Sequence, residues 1–224
     1  PVILWLLRGY DPFHQDHLKR LDVGKEEKTD VLSWKRQQVL RDPRFYLLLP
    51  GIMASSMVAT AFFFHHLNIA EAKRWDASWV TGNYVMYAVT CVLAFLTAGA
   101  LVDRFRADRV VQFMLIPLVL ASLTIGIAEN YLWVIPYMLL LGLHVGFAHT
   151  STNALWAELY GVADLGSIRS MYAALSVLSS AFGPVIIGGL VDLGVPIENT
   201  CFLFAAYVVL GNILIIFALR LKPK

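Results

Sequence analysis

Six stretches of this chain carry no aspartate, glutamate, lysine or arginine in their interiors: about 45–66, 79–102, 110–128, 132–156, 169–191 and 199–219. No other feature constrains the fold as strongly. Each stretch is close to the roughly 20 apolar residues that an α-helix needs to cross the hydrocarbon of a bilayer. A water-soluble domain can bury many apolar residues, but it has no reason to segregate them into charge-free blocks of this length. Charged residues make up 15% of the chain, against about 25% in ordinary soluble domains. Pro50, Pro117, Pro136 and Pro184 fall inside the blocks. A soluble helix breaks at an interior proline, whereas neighbouring helices in a membrane satisfy the freed carbonyl. The expected fold class is therefore all-α and integral to the membrane, with six spanning helices.

The connections between the blocks point the same way. Nine lysines and arginines lie in 8–44 and three in 103–109, and Arg169, Arg220, Lys222 and Lys224 belong to the same side. That side holds sixteen of the eighteen, and only Lys73 and Arg74 fall on the other. Cytoplasmic loops carry such an excess, so the 8–44 loop and the C-terminus are expected inside the cell. The chain starts with "PVILWLL", apolar but too short to span, and has no initiator methionine. It reads as the end of an earlier helix, and the chain as a fragment. Cys91 and Cys201 lie deep in apolar runs without metal-like spacing, which points to neither a disulfide framework nor a zinc site. Phosphate-binding glycine loops, nucleophile elbows and metal motifs are missing from the sequence, and the scattered basic residues form no nucleic-acid patch. A non-enzyme without cofactor or resident metal is expected, with lipid and a small molecule as partners.

One connection is more specific than an anchor requires. Residues 99–109, "GALVDRFRADR", place Gly99, Leu101, Asp103 and Arg104 in a Gly-x-Leu-x-Asp-Arg order. This resembles the loop signature of the major facilitator superfamily, which joins the second and third helices of each six-helix half. Arg106 stands where the signature has its second glycine, and Asp108 where it has a basic residue, with Arg109 one place on. The segment 40–51, "LRDPRFYLLLPG", is similar to the entry of the family's seventh helix, and 158–194 resembles the tenth-to-eleventh helix region of the bacterial monocarboxylate-like branch. The resemblance implies a chain composed of the end of helix six, a central loop and helices seven to twelve. It also implies a bacterial inner-membrane location and a partner, the N-terminal six-helix half, absent from this chain. By the same resemblance Gly99 allows close helix approach. Asp103 accepts hydrogen bonds from amides at a neighbouring helix N-terminus, and Arg104, Arg106 and Arg109 belong to a cytoplasmic latch that opens and closes as the halves rock. Glu158 and Arg169 frame the next cytoplasmic loop and are expected to make a local charge contact.

The spans contain no carboxylate, the usual proton carrier within a membrane. A coupling carboxylate is therefore expected in the other half, unless histidine does that work or transport is not proton-coupled. The polar residues that remain are the candidates for a substrate cavity. In the fourth span His149, Asn153 and Trp156 share a face with Gly142 and Gly146, and His144 lies about 140° away from His149 on the helical wheel. In the fifth, Tyr172, Ser176, Ser179, Ser180 and Gly183 fall together, and Gly183, Pro184, Gly188 and Gly189 mark a packing and bending point. In the second, Asn83, Tyr84 and Tyr87 gather near the outer end, and His65 and His66 close the first. The resemblance implies a cavity lined by the first, second, fourth and fifth spans, with the third and sixth supporting it from the lipid side. The leading expectation is half of a secondary transporter moving a small organic solute, neutral or anionic, by alternating access. Two other readings are a non-transporting receptor or assembly subunit on the same fold, and an electron carrier in which His66 or His144 ligates haem together with His149.

Overall fold

The computed structural model describes residues 34–221, all within one compact unit. The segment 1–7 and the loop up to residue 33 lie outside the described residues, as do the last three. A single turn, α1 (Arg36–Val39), precedes the membrane domain. The first span is α2 (Pro43–Ala72). The second comprises α3 (Ala77–Gly82) and α4 (Tyr84–Phe105), and the third α5 (Ala107–Val111) and α6 (Ile116–Ile127). A 3-10 turn, Tyr131–Trp133, leads into α7 (Val134–Tyr160), the fourth span. The fifth and sixth are α8 (Leu165–Asp192) and α9 (Ile197–Arg220). All six are long and apolar enough to cross a membrane.

The helices overrun the apolar blocks because their caps lie in polar sequence. Asp42 accepts from the amide of Arg44 at 3.0 Å with Pro43 as the first helical residue, an N-terminus built from an acidic cap and a proline that needs no partner for its missing N–H. Asp76 caps α3 through the amide of Ser78 at 2.6 Å. At the other end of α7, Gly161 takes φ 80 and ψ −177, a positive-φ conformation that glycine adopts without strain and that ends the helix. Two spans expected as continuous are interrupted. At Asn83, which keeps right-handed helical dihedrals (φ −74, ψ −3), the regular helix is interrupted for one residue, and residues 112–115 form turns just before Pro117. By contrast α8 passes Pro184 without a break.

The first span packs along the fifth and sixth, the sixth on the third, the third on the fourth, and the fourth on the second. Small residues set the closest crossings. A Cβ on Gly51 would stand 2.7 Å from the carbonyl of Gly211, where the first and sixth spans meet. One on Gly142 would strike the Tyr87 carbonyl, one on Gly146 would lie 2.5 Å from Ala94 Cβ, and one on Gly183 would strike the Met57 carbonyl. The third and sixth spans, expected at the lipid side, pack on each other and on the fourth and first. Of the third span's most apolar stretch 44% is buried, against 17% for the second and for the fifth, so the second and fifth carry the broadest open faces.

Long-range polar contacts define the two ends. At one, the Lys73 ammonium donates to the Ala128 carbonyl and to Glu198, both at 2.9 Å, tying three connections together. At the other, the Trp34 amide donates to the Tyr160 carbonyl at 2.9 Å. There Arg44 folds back on Asp42 at 2.8 Å, both nearly buried, and its guanidinium lies over the rings of Trp34 and Tyr160. This second end also carries the 103–109 turn.

Candidate functional site

Between the first, fourth and fifth spans lies a cavity of about 380 Å3, within the ~300–1,000 Å3 range of small-molecule sites. Its polar lining comes from Ser55, Ser56 and Thr60 of the first span, His149 and Thr152 of the fourth, and Tyr172 and Ser176 of the fifth. Among the described residues no Asp, Glu, Lys or Arg lines it. The wall is thus made of hydroxyls and one imidazole, set among alanine, valine and isoleucine. Helical spacing explains the layout. Ser56 and Thr60 are four apart, as are Tyr172 and Ser176, so each pair shares one face of its helix.

A hydrogen-bonded chain extends from this wall toward the basic end. The Tyr172 hydroxyl donates to Asn153 Oδ1 at 2.9 Å, and the Asn153 amide lies 3.3 Å from His149 Nδ1 while donating to the His149 carbonyl at 2.9 Å. Arg169 closes the chain by donating to the Asn153 carbonyl at 3.2 Å. His149 is exposed on the open side of the bundle, its ring 5.7 Å from that of Phe95. Trp156 lies beneath, fully buried, its ring 5.3 Å from that of Tyr172.

His144 has a different place. It is fully buried. Its Nδ1 donates to the Met114 carbonyl at 2.9 Å and its Nε2 meets the Ser55 hydroxyl at 2.8 Å. Met114 belongs to the interruption of the third span, where carbonyls lack regular helical partners. His144 therefore repairs that break on one side and orients a cavity hydroxyl on the other, without reaching the cavity itself.

Other candidates lie elsewhere. His66 is buried, with Nδ1 2.8 Å from the Tyr84 hydroxyl and Nε2 against the Tyr137 hydroxyl. Phe63 packs on His66, Tyr84 and Tyr87, so these residues form an aromatic network linking the first, second and fourth spans at the end away from the basic turn. His65 donates to the Pro184 carbonyl at 3.0 Å. Asn83 donates to the Trp79 carbonyl of its own helix. Ser179 donates to the Met53 carbonyl at 3.0 Å and Ser180 to the Val177 carbonyl. None of these residues lines the cavity: Ser179 and Ser180 lie on the same side of the helix as Ser176 but further along it, where Ser179 bonds the backbone of the first span and Ser180 that of its own helix. Gly142, Gly146 and Gly183 sit at helix crossings, Gly188 has only His65 nearby, and Gly189 faces open space. Both ring nitrogens of His66 and of His144 are engaged by protein groups, so neither offers an electron pair to haem.

Sequence reasoning passed over Ser55, Ser56, Thr60 and Thr152. The signal was present in "ASSMVAT", a cluster of small hydroxyl residues inside a charge-free span.

The 103–109 turn departs from expectation in three respects. Nothing lies within 4 Å of a Cβ on Gly99, so no helix of the described residues uses its small size. The amides at the start of the third span are taken by Glu158, which accepts from Ala107 N at 2.8 Å and Asp108 N at 3.4 Å, while Asp103 is exposed. Glu158 lies nearer to Arg106, at 3.9 Å, and Arg169 turns to Asn153, so the two do not pair. A carboxylate from the fourth span reaches these amides because the third span docks on the fourth there, whereas Asp103 precedes the turn and points away. Arg106 has φ 69 and ψ 151, a backbone region that glycine adopts easily and other residues do not.

Residues 67–224 match the family model described as Major Facilitator Superfamily. No curated protein matches the chain.

Proposed function

The chain belongs to the Major Facilitator Superfamily, and on that premise we propose that it supplies the C-terminal six-helix half of a secondary transporter that moves a small organic solute by alternating access. The observation that carries the reading is the uncharged, hydroxyl- and imidazole-lined cavity between the first, fourth and fifth spans. The Thr60 and Ser176 hydroxyls and the Nε2–H of His149 are free to donate to a carboxylate oxygen, while Ser55, Ser56, Thr152 and Tyr172 donate to protein groups, and among the described residues no protein carboxylate lines the wall to repel it. A cation would find no opposite charge there. A small carboxylate is therefore the favoured solute class.

Alternating access requires a second half to close the open side on which His149 stands. The second and fifth spans, whose faces are the most open, are the surfaces this half offers. Asp103 and Arg104, exposed on the turn between the second and third spans, are the charges it presents to a partner on the basic side, which we assign to the cytoplasm from the lysine and arginine excess.

The test is solute uptake by the full-length protein in proteoliposomes, screened over small carboxylates, polyols and organic cations. Uptake of a carboxylate that falls at least tenfold in Tyr172→Phe and His149→Ala supports the reading. Uptake of cations alone would overturn the substrate class. Folded protein that moves no solute, but binds one, would make the chain a receptor on a transporter fold.

A further inference from the structure

A second concavity opens on the outside of the bundle, at the basic end. It has a volume of about 420 Å3 and an almost wholly apolar lining. The second and third spans meet only near their connecting turn. Leu101 and Phe105 form one wall, Phe113 and Pro117 the other, and Leu143 and Phe147 of the fourth span the floor. The turns at 112–115 and Pro117 let the third span diverge from the second, while the glycines at 142 and 146 hold the second tightly on the fourth. The result is a wedge open toward lipid. It shares no lining residue with the cavity between the first, fourth and fifth spans.

Among the described residues one charged side chain lines this groove, Arg109. Arg109 is exposed and makes no ion pair among the described residues. Nearby Asp108 is 3.6 Å from Arg106, and Arg104 stacks its guanidinium over Phe105 on the same rim. Asp103 and Glu158 are the other acids of the region, and Glu158 is held by the α5 amides. The turn thus sets three arginines against two aspartates at the mouth of an apolar slot.

We propose that this groove binds an anionic phospholipid from the leaflet at the basic end, with one acyl chain between the second and third spans and the phosphate on Arg109. A guanidinium matches a phosphate in charge and in donor geometry. Basic pockets between spanning helices select anionic headgroups in this way. The position suits both parts of such a lipid. Arg109 lies in the first turns of the third span, at interface depth. Pro117 lies eight residues further along the third span, on the far side of the 112–115 turns.

The test uses the full-length protein carrying Phe113→Trp as a reporter, in vesicles of phosphatidylcholine with either phosphatidylglycerol or further phosphatidylcholine brominated on its chains, at equal mole fraction. Brominated phosphatidylglycerol should quench the reporter with roughly fivefold higher apparent affinity, the worth of one basic residue near an anionic headgroup. Arg109→Gln should abolish the preference, and Arg109→Lys should retain part of it. Inorganic phosphate should not displace the brominated lipid, and displacement would show an anion site without a lipid chain. Equal quenching by both lipids, or a preference unchanged in Arg109→Gln, would overturn the proposal. Quenching by neither would mean that another part of the protein fills the groove, and would overturn it too. Leu143→Trp, which fills the floor, should lower quenching by phosphatidylglycerol even where Arg109 is intact.

Discussion

Arg106 holds a backbone conformation, φ 69 and ψ 151, that costs a non-glycine residue about 1–3 kcal/mol. Its compensation is weak: contacts of 3.6 Å to Asp108 and 3.9 Å to Glu158 from a side chain that is 70% exposed, and exposed pairs contribute about 0–1 kcal/mol. Arg106→Gly should therefore stabilise the protein by about 1 kcal/mol, read as a higher unfolding midpoint in detergent, and a lower midpoint would show that the ion pairs outweigh the strain. The two histidines of the fourth span separate by the same kind of reasoning. His144→Leu leaves the buried Met114 carbonyl without its donor, at about 1–3 kcal/mol, and should lower stability. His149→Leu, at an exposed ring, should leave stability nearly unchanged while impairing uptake. Equal destabilisation by both would contradict this division of labour between a buried strut and a cavity side chain.

At the scale of elements, the crossings are backbone to backbone. Gly146→Leu puts side-chain atoms where a Cβ already lies 2.6 Å from the Cys91 carbonyl, and overpacking of this kind costs about 1–3 kcal/mol. The second and fourth spans should separate, and the protein should lose its monodisperse elution after mild heating. Gly189→Ala is the matching control, with nothing within 4 Å. In an exposed helical position alanine is worth up to about 1 kcal/mol over glycine, so this variant should elute as the parent or better. Three side chains fasten the first span to the fifth through backbone carbonyls: Ser56 to Ser176, Ser179 to Met53, and His65 to Pro184. They explain why Ser179 and His65, which looked like cavity residues in the sequence, stand at a helix seam. Amphipathic pattern shows that a face is polar. It does not show whether a cavity or a neighbouring backbone meets that face.

The whole molecule has two unlike ends. Lys73, Ala128 and Glu198 meet at one, and Trp34, Glu158 and the 103–109 turn lie at the other. If the basic end is cytoplasmic, Glu129→Cys in intact cells should react with an impermeant thiol reagent, and Ala163→Cys should react only after permeabilisation, both in a background lacking the native cysteines. The reverse pattern would invert the topology. The six spans, their approximate bounds and the special character of the 99–109 turn were all legible from the chain, because hydropathy and charge act locally and a bilayer makes each span answerable to them alone. Even the strain at Arg106 had a sequence trace, a missing glycine in the resembled signature. What hydropathy could not reveal was the pairing of spans. The breaks at Asn83 and at 112–115, the transfer of the capping role from Asp103 to Glu158, and the gathering of Ser55, Ser56, Thr60, His149, Thr152, Tyr172 and Ser176 around one cavity all depend on which helices touch. That is decided by close packing of small residues and by polar groups seeking partners far away along the chain, terms that exist only once the helices are side by side.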